Sequence, residues 1–465
     1  MCTAIQQGSY LWLRIMELMP KNPEIDVDRD RLSELPDELI VHILSLMPTL
    51  EAVRTVLIGP RFGNLWKWVH TLWFGDADFL DQMFGDGLWM NDSIKCGRFV
   101  IFVRNVLMLH KRLSIDTFRL SIQFSNHKDN LNIVDEVKMW LRFALDRQAK
   151  QIMFFTRSDR QFMEDHLMLP NLTSDYLDTL GLSGCRIDTQ VHVNLKSLNY
   201  LLLNQIIMTD EAFHRFVSGC PSLRKLCVLR PSVIQKLCFS DPKIDTLSLL
   251  LRNPDNPCLL YCPNHKNLEL EIFNHLPEVI DVSSIRYINV KDFLYATNTD
   301  EQVSALKMLL GKFKAAEVFQ LSFNASVAFL MAIENIELLQ TKWNCIILEF
   351  FMFSEGCLLG LYQLIRSSGQ LKELILRTRG SDTAAVVVQL PPCVLPKLTT
   401  ITLHGDVKPC SSQLKLLEFL LKSAPVLDKV VIIPLNELNG KDRLEFAKQV
   451  SRFPMASTTA TIVLK

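Results

Sequence analysis

This 465-residue chain has no surplus of charge of either sign, since 50 Lys and Arg offset 50 Asp and Glu. A protein built for nucleic acid or an anionic membrane normally carries a basic excess, so neither partner is expected. No apolar run approaches the length of a membrane span: 48% of the residues are hydrophobic, but charges interrupt them throughout. The apolar patch Tyr10, Leu11, Trp12, Leu13 and Ile15 has no basic region before it and is broken by Arg14, with Glu17 close behind, so no signal peptide is expected. A repeated cysteine spacing is also missing. The twelve cysteines are scattered, and Cys185, Cys220, Cys227 and Cys238 sit among apolar residues, where small buried thiols are common. Cys258, Cys262 and His265 come closest to a metal pattern, but no fourth ligand follows at short spacing, and no metal site is expected. Such cysteine usage fits a reducing compartment, the cytoplasm or the nucleus. A Gly-rich phosphate loop, an HExxH helix and a Gly-x-Ser-x-Gly elbow are all absent, so the sequence points to a non-catalytic protein without a cofactor.

What the chain does contain is a ladder. From about Phe99, helical and strand-like patterns alternate: the stripe Phe99, Phe102, Val103, Val106 and Leu109, then the alternating run Phe118 to Ile122. A second stripe (Val134, Val137, Leu141, Leu145) and the run Ile152–Phe155 follow. That order implies parallel strands joined by crossovers. Beyond residue 170 the strand cores recur as Leu180-Gly181-Leu182, Leu201-Leu202-Leu203, Leu226-Cys227-Val228, Leu247-Ser248-Leu249, Leu268-Glu269-Leu270 and Ile288-Asn289-Val290. The anchors are about twenty to twenty-five residues apart, the period of leucine-rich repeats. Leu321, Leu348, Leu374, Ile401 and Val430 continue the series at up to about thirty-three residues. Those longer repeats have room for a helix, and Val303–Phe313 and Leu414–Leu421 supply two candidates. The phrases CPSLRKL and APVLDKV, at 220–226 and 424–430, repeat one register with a proline before the strand approach. The expected fold is α/β: a curved leucine-rich-repeat solenoid with parallel strands on its concave face and helices on its convex face. On such a strand Glu269 and Glu271 point the same way, a contact suited to a basic partner or simply a solvated face.

Ahead of the ladder lies DRLSELPDELIVHILSLMPTLEAVRTVLIGPRFGNLWKWVHTLW, three short helical patterns in quick succession. Pro36 suits a first helical position, with Asp37 and Glu38 in the first turn where the helix dipole favours negative charge. Leu39, Ile40, Ile43, Leu44 and Met47 recur at helical spacing behind it. Pro48 ends that pattern, Thr49 is placed to cap the next, and Gly59-Pro60 separates a third stripe of Phe62, Leu65, Trp66 and Val69. So small a bundle cannot consume all these large side chains internally, and another surface should cover part of them.

The same residues carry a resemblance. Leu35-Pro36, the pairs Leu39/Ile40 and Ile43/Leu44, then Pro48, Ala52-Val53, Arg54, Leu57, Arg61-Phe62 and Leu65-Trp66 resemble an F-box. The run Leu395 to Leu403, the helix Leu414–Leu421, LLKSAPVLDKVVII and Phe453-Pro454 resemble the FBD segment of plant-type F-box/leucine-rich-repeat/FBD proteins. WLRFALDRQAKQIMFF, beginning at Trp140, is similar to that family's early repeat. The resemblance divides the chain into a tail at 1–29, a three-helix F-box at 30–75, a connector at 76–98, the repeat solenoid at 99–390 and FBD-like repeats at 391–465. It implies the substrate-recognition subunit of a Skp–cullin–F-box ubiquitin ligase. The adaptor would bind through Leu35, Pro36, Leu39, Ile40, Ile43, Leu44, Pro48, Val53, Leu57, Arg61, Phe62 and Trp66, and the solenoid would hold a target protein. Gly59-Pro60 departs from the Ser-Lys-Arg type sequence usual before the third helix and bears on adaptor affinity. Two other roles are compatible with the same residues: a receptor gated by a small molecule, or an interaction scaffold whose F-box no longer engages a ligase.

Overall fold

The computed structural model describes residues 34–76, 92–122, 131–156, 171–230, 233–234, 236–238, 244–251, 259–261, 266–272, 278–282, 284–291, 308, 310–323, 341–350, 355–378, 391–405, 412–434 and 440–464. The N-terminal tail, most of the connector, the group Cys258, Cys262 and His265, and most of the helix expected over Val303–Phe313 lie outside these residues. The chain divides into two compact units, Met1–Val69 and His70–Lys465.

The first unit holds α1 (Asp37–Ser45), α2 (Thr49–Arg54) continued by a 3-10 turn at Thr55–Leu57, and α3 (Phe62–Leu65) continued by another at Trp66–Trp68. Both leading helices start one residue after a proline. Pro36 and Pro48 are themselves the N-caps, with φ near −57° and −54°, and their carbonyls accept from Ile40 N–H at 3.2 Å and Ala52 N–H at 3.1 Å. Thr49, expected as a cap, is instead the first helical residue and is buried. The fixed φ of proline organises the cap where a side-chain hydroxyl was anticipated. Helix α1 packs on α2, on α3 and on the turn after α3. Ile40, Leu44, Ala52, Phe62, Leu65 and Trp66 are all buried.

The second unit is built on one fifteen-stranded sheet whose strands follow chain order and are parallel throughout. They are β1 (Thr71–Gly75), β2 (Thr117–Ile122), β3 (Gln151–Thr156), β4 (Thr179–Ser183), β5 (Tyr200–Asn204), β6 (Lys225–Leu229), β7 (Thr246–Leu251) and β8 (Asn267–Ile272). The ladder continues with β9 (Tyr287–Lys291), β10 (Val318–Phe323), β11 (Cys345–Phe350), β12 (Glu373–Thr378), β13 (Thr400–Gly405), β14 (Lys429–Pro434) and β15 (Thr461–Leu464). The sheet is open, with β1 and β15 at its edges. Thr71–Gly75, expected to finish the first module, is the strand that begins this sheet.

Leu72, Phe118, Ile152, Leu180, Leu201, Leu226, Leu247, Leu268, Ile288, Phe319, Ile346, Leu374, Ile401 and Val430 pair across the ladder as one row. Each is at most 1% exposed. At about 1.5–3 kcal/mol for burying one such side chain, this row is a large apolar contribution to the unit. Leu321 and Leu348, taken as anchors from the sequence, belong to the next row; Phe319 and Ile346 occupy the anchor register.

Among the described residues the crossovers are of two kinds. Some carry helices: α4 (Asp92–Leu109), α5 (Leu131–Asp146), α6 (Asp210–Ser218), α7 (Glu355–Ser367), α8 (Ser412–Ser423) and α9 (Gly440–Val450). In others short strands pair: Leu172–Ser174 with Val193–Leu195, and Leu259–Tyr261 with both Lys236–Cys238 and Glu278–Asp281. Helix α4 buries Phe99, Val103 and Val106, and Phe99 meets Trp140 of α5 edge-on at 6.2 Å. Leu109, assigned to the same stripe, is half exposed. Gly184, Gln205 and Arg230, each directly after β4, β5 or β6, share a left-handed φ of 73°, 51° and 50°. This lets their N–H groups donate to Asn204, Leu229 and Leu250 carbonyls at 3.0, 2.8 and 2.6 Å.

Candidate protein-interaction surfaces

The helical unit separates its apolar residues into two populations. Of the twelve positions assigned to adaptor contact, Ile40, Leu44, Phe62 and Trp66 are buried and hold the unit together. Leu35, Pro48 and Val53 are half-buried, while Pro36, Leu39, Ile43, Leu57 and Arg61 are exposed. Leu39, Ile43 and Leu46 lie on one face of α1 at i, i+4 and i+7, with Leu46 67% exposed. Val56, Leu57 and Ile58 form a second exposed group where α2 runs out, and Leu57 is 86% exposed. Isolated exposed aliphatics are ordinary, but six in so short a module form the kind of surface that marks a docking site. Leu46, Val56 and Ile58 escaped the sequence assignment. The spacing Leu39-Ile43-Leu46 was a signal that could have found the first of them.

Arg61 has a different role from a simple contact residue. Its Nε donates to Asp37 Oδ1 at 2.8 Å, and a terminal nitrogen reaches both that oxygen and the Leu35 carbonyl at 2.5 Å. One planar fork thus ties the start of α1 to the start of α3. The bond holds Leu35 and Pro36 at the edge of the exposed α1 stripe.

The second surface is the sheet face opposite the core row. Its central row runs Met153, Gly181, Leu202, Cys227, Ser248, Glu269, Asn289, Gln320, Ile347, Ile375, Thr402 and Val431 in continuous register. Near its beginning, Arg119 lies over the Trp73 ring at 5.8 Å. On the middle strands Ser248 donates to Glu269 Oε2 at 3.2 Å, and the Tyr287 hydroxyl donates to Gln320 Oε1 at 2.9 Å. Burial, reinforced by Cys227 and the charge of Glu269, pushes the Tyr200 phenol up to about 12. Burial also raises Tyr287, with Glu269 adding to the effect. Both therefore stay neutral hydrogen-bonding groups at physiological pH. In the backbone register Glu271 of β8 pairs with Lys291 of β9.

Cys185, Cys220 and Cys345 are buried. Cys185 is buried and its thiol is raised by burial alone; burial likewise pushes Cys220 and Cys345 up to about 12. Thiols so disfavoured as thiolates are poor nucleophiles and poor metal ligands. Among the described residues no group of His, Cys, Asp and Glu is arranged to hold a metal ion, and no helix is long and apolar enough to cross a membrane.

Residues 137–284 match the family model for the LRR repeats of FBD-associated F-box protein At5g56370. Over 94% of this chain and 99% of its own length, the F-box/FBD/LRR-repeat protein At5g56420 of Arabidopsis thaliana is 26% identical. The F-box/FBD/LRR-repeat protein At2g04230 of the same plant is 32% identical over 48% of each chain. The FBD-associated F-box protein At4g10400 is 30% identical over 48% of this chain and 54% of its own. The matched repeats coincide with α5 and strands β3 to β8, and the first relative follows the chain nearly end to end. With a helical unit ahead of a parallel leucine-rich ladder, the chain is similar to the F-box/FBD/LRR-repeat proteins.

Proposed function

We propose that this protein is the substrate-recognition subunit of a Skp–cullin–F-box ubiquitin ligase. Its F-box docks a Skp-type adaptor and, through it, a cullin; the repeat array curves into a solenoid whose concave strand face holds a target protein. The observation that carries this reading is the uncovered apolar surface of the helical unit: Leu39, Ile43 and Leu46 on α1, with Val56, Leu57 and Ile58 beyond α2. A surface of that kind suits burial against a helical partner through a few aliphatic anchors. The chain makes and breaks no bonds itself. It raises the local concentration of target lysines near a charged ubiquitin carrier, an intramolecular advantage set by geometry. Its place of action is the cytoplasm or the nucleus.

The test is a direct titration of the full chain with a Skp-type adaptor. Leu39→Asp combined with Ile43→Asp abolishes binding, because two carboxylates would be buried without partners, while the repeat unit keeps its unfolding transition. An unchanged adaptor affinity would falsify the assignment. It would favour instead an interaction scaffold detached from the ligase, the role to which the Gly59-Pro60 departure points.

A further inference from the structure

The first six strands give the open sheet face charge of one sign. On that face β1 to β6 carry Arg119 and Lys225 and no Asp or Glu, in a chain whose acids and bases balance overall. Both side chains are exposed, and neither takes part in an ion pair among the described residues. The acids nearby are already engaged or lie further off. Asp116, at the entrance to β2, accepts from Lys150 at 2.8 Å, and Asp178, just before β4, accepts from the Thr179 hydroxyl at 2.9 Å. The next acid on the face is Glu269 of β8, two strands past Lys225 and one row over, where it accepts from Ser248.

Arg119 is held ready for contact. Its guanidinium carbon lies 5.8 Å from the centre of the Trp73 ring. Stacking on an indole fixes the plane of the fork and leaves its N–H edge to a further partner. Between Arg119 and Lys225 the surface is apolar. Met153 and Phe155 are half-buried, and Leu202 is 7% exposed. Gly181 has no side chain to interrupt them: a Cβ there would stand 2.4 Å from Met153 Sδ, so the thioether occupies that space. A methionine is flexible enough to shift under an incoming apolar group. From β2 to β6 is four strand spacings, about 19 Å, which an extended peptide covers in about six residues.

Resting on the substrate-receptor reading, we propose that the open face of β1 to β6 seats an acidic segment of the target protein. One carboxylate accepts from the Arg119 fork, a second pairs with Lys225, and apolar side chains between them lie on Met153, Phe155 and Leu202. Carboxylates fit these cations better than phosphate does. A phosphoryl group is taken by clustered arginines, whereas Arg119 and Lys225 stand singly and far apart. Nucleic acid calls for many cations along one track, and this face has two. The target is thus marked by acidic residues about six positions apart with aliphatic residues between them.

The probe is the peptide acetyl-Glu-Gly-Leu-Gly-Leu-Gly-Glu-amide, titrated into the full chain at low salt beside the same peptide with glutamine at both ends. The glutamate peptide binds, and the glutamine peptide binds at least about tenfold more weakly, the scale of one hydrogen bond between charged groups. Arg119→Gln weakens the glutamate peptide by a similar factor and leaves the glutamine peptide where it was. The unfolding transition is kept, because the residue is exposed and makes no ion pair. Lys225→Gln acts in the same direction by a smaller factor, since an ammonium lacks the planar fork. No binding to the wild-type chain at millimolar peptide, equal binding of the two peptides, or undiminished binding to Arg119→Gln overturns the proposal. So does tighter binding of a short oligothymidylate than of the glutamate peptide. Adaptor capture is measured on the same proteins. A chain that binds the glutamate peptide but no adaptor sinks the ligase reading alone, whereas adaptor capture without peptide binding sinks only the acidic-segment site.

Discussion

Leu57 offers the sharpest separation of docking from folding in the helical unit. It ends the 3-10 turn Thr55–Leu57 with 86% of its surface exposed, so truncating it removes almost no packing from the free protein. The turn keeps its own bonds, Ile58 N–H to the Thr55 carbonyl at 2.9 Å and the Thr55 hydroxyl to the Ala52 carbonyl at 2.6 Å. Leu57→Ala should therefore change stability by no more than about 0.5 kcal/mol. Covering a leucine side chain is worth about 1.5–3 kcal/mol, so losing it from a docked interface weakens adaptor binding roughly tenfold to a hundredfold. Leu44→Ala is the contrast: the residue is 3% exposed, and its truncation costs about 2–5 kcal/mol of folding free energy. In a unit with so small a core that is enough to unfold the helices. Calorimetric titration with a Skp-type adaptor and thermal unfolding, run on both variants, decide the matter. Wild-type affinity for Leu57→Ala refutes the docking face; lost affinity accompanied by unfolding of that variant refutes the claim that the residue is free of the core.

The ladder was legible because its signal is redundant. Leu180, Leu201, Leu226, Leu247, Leu268 and Ile288 repeat at nearly constant spacing, and every one occupies the core row. The misplacement of Leu321 and Leu348 by two residues has a plain cause. Phe319, Leu321 and Phe323 alternate, as do Ile346, Leu348 and Phe350, and a period of two marks the buried face without marking position along the strand. Leu109 was misjudged for a related reason: α4 is apolar nearly all round, with Ile101, Met108 and Leu109 exposed, so its spacing alone does not name the packed side. In the helical unit, spacing identified helix faces but could not say who covers them. Ile40 and Leu44 turn toward their own chain, while Leu39 and Ile43, each one residue earlier, turn outward.

Two further outcomes follow from close contacts in the repeat unit. Gly219 caps α6 with ordinary φ of −74°, yet a Cβ there would collide with the Val193 carbonyl, so Gly219→Ala lowers stability by about 2 kcal/mol in a thermal melt. A melt unchanged by that substitution would mean the two backbones part freely. The last concerns Asp116, which lies just before β2. Its carboxylate accepts from Lys150 at 2.8 Å, with His70 Nδ1 at 3.8 Å, and the lysine bond above all holds its pKa below the usual carboxylate value. Because the folded value is depressed, the stabilisation is fully present above the ordinary carboxylate pKa of about 4 and drains away as pH falls through the lower folded value. Lys150→Met removes the main cause, so the Asp116 carboxyl resonance should titrate at higher pH and acid loss of stability should begin earlier. His70 and Arg112 act in the same direction on the same group, so the shift shrinks without vanishing. A titration point unmoved by Lys150→Met would show that desolvation, which acts in the opposite sense, had been balanced by those two cations alone.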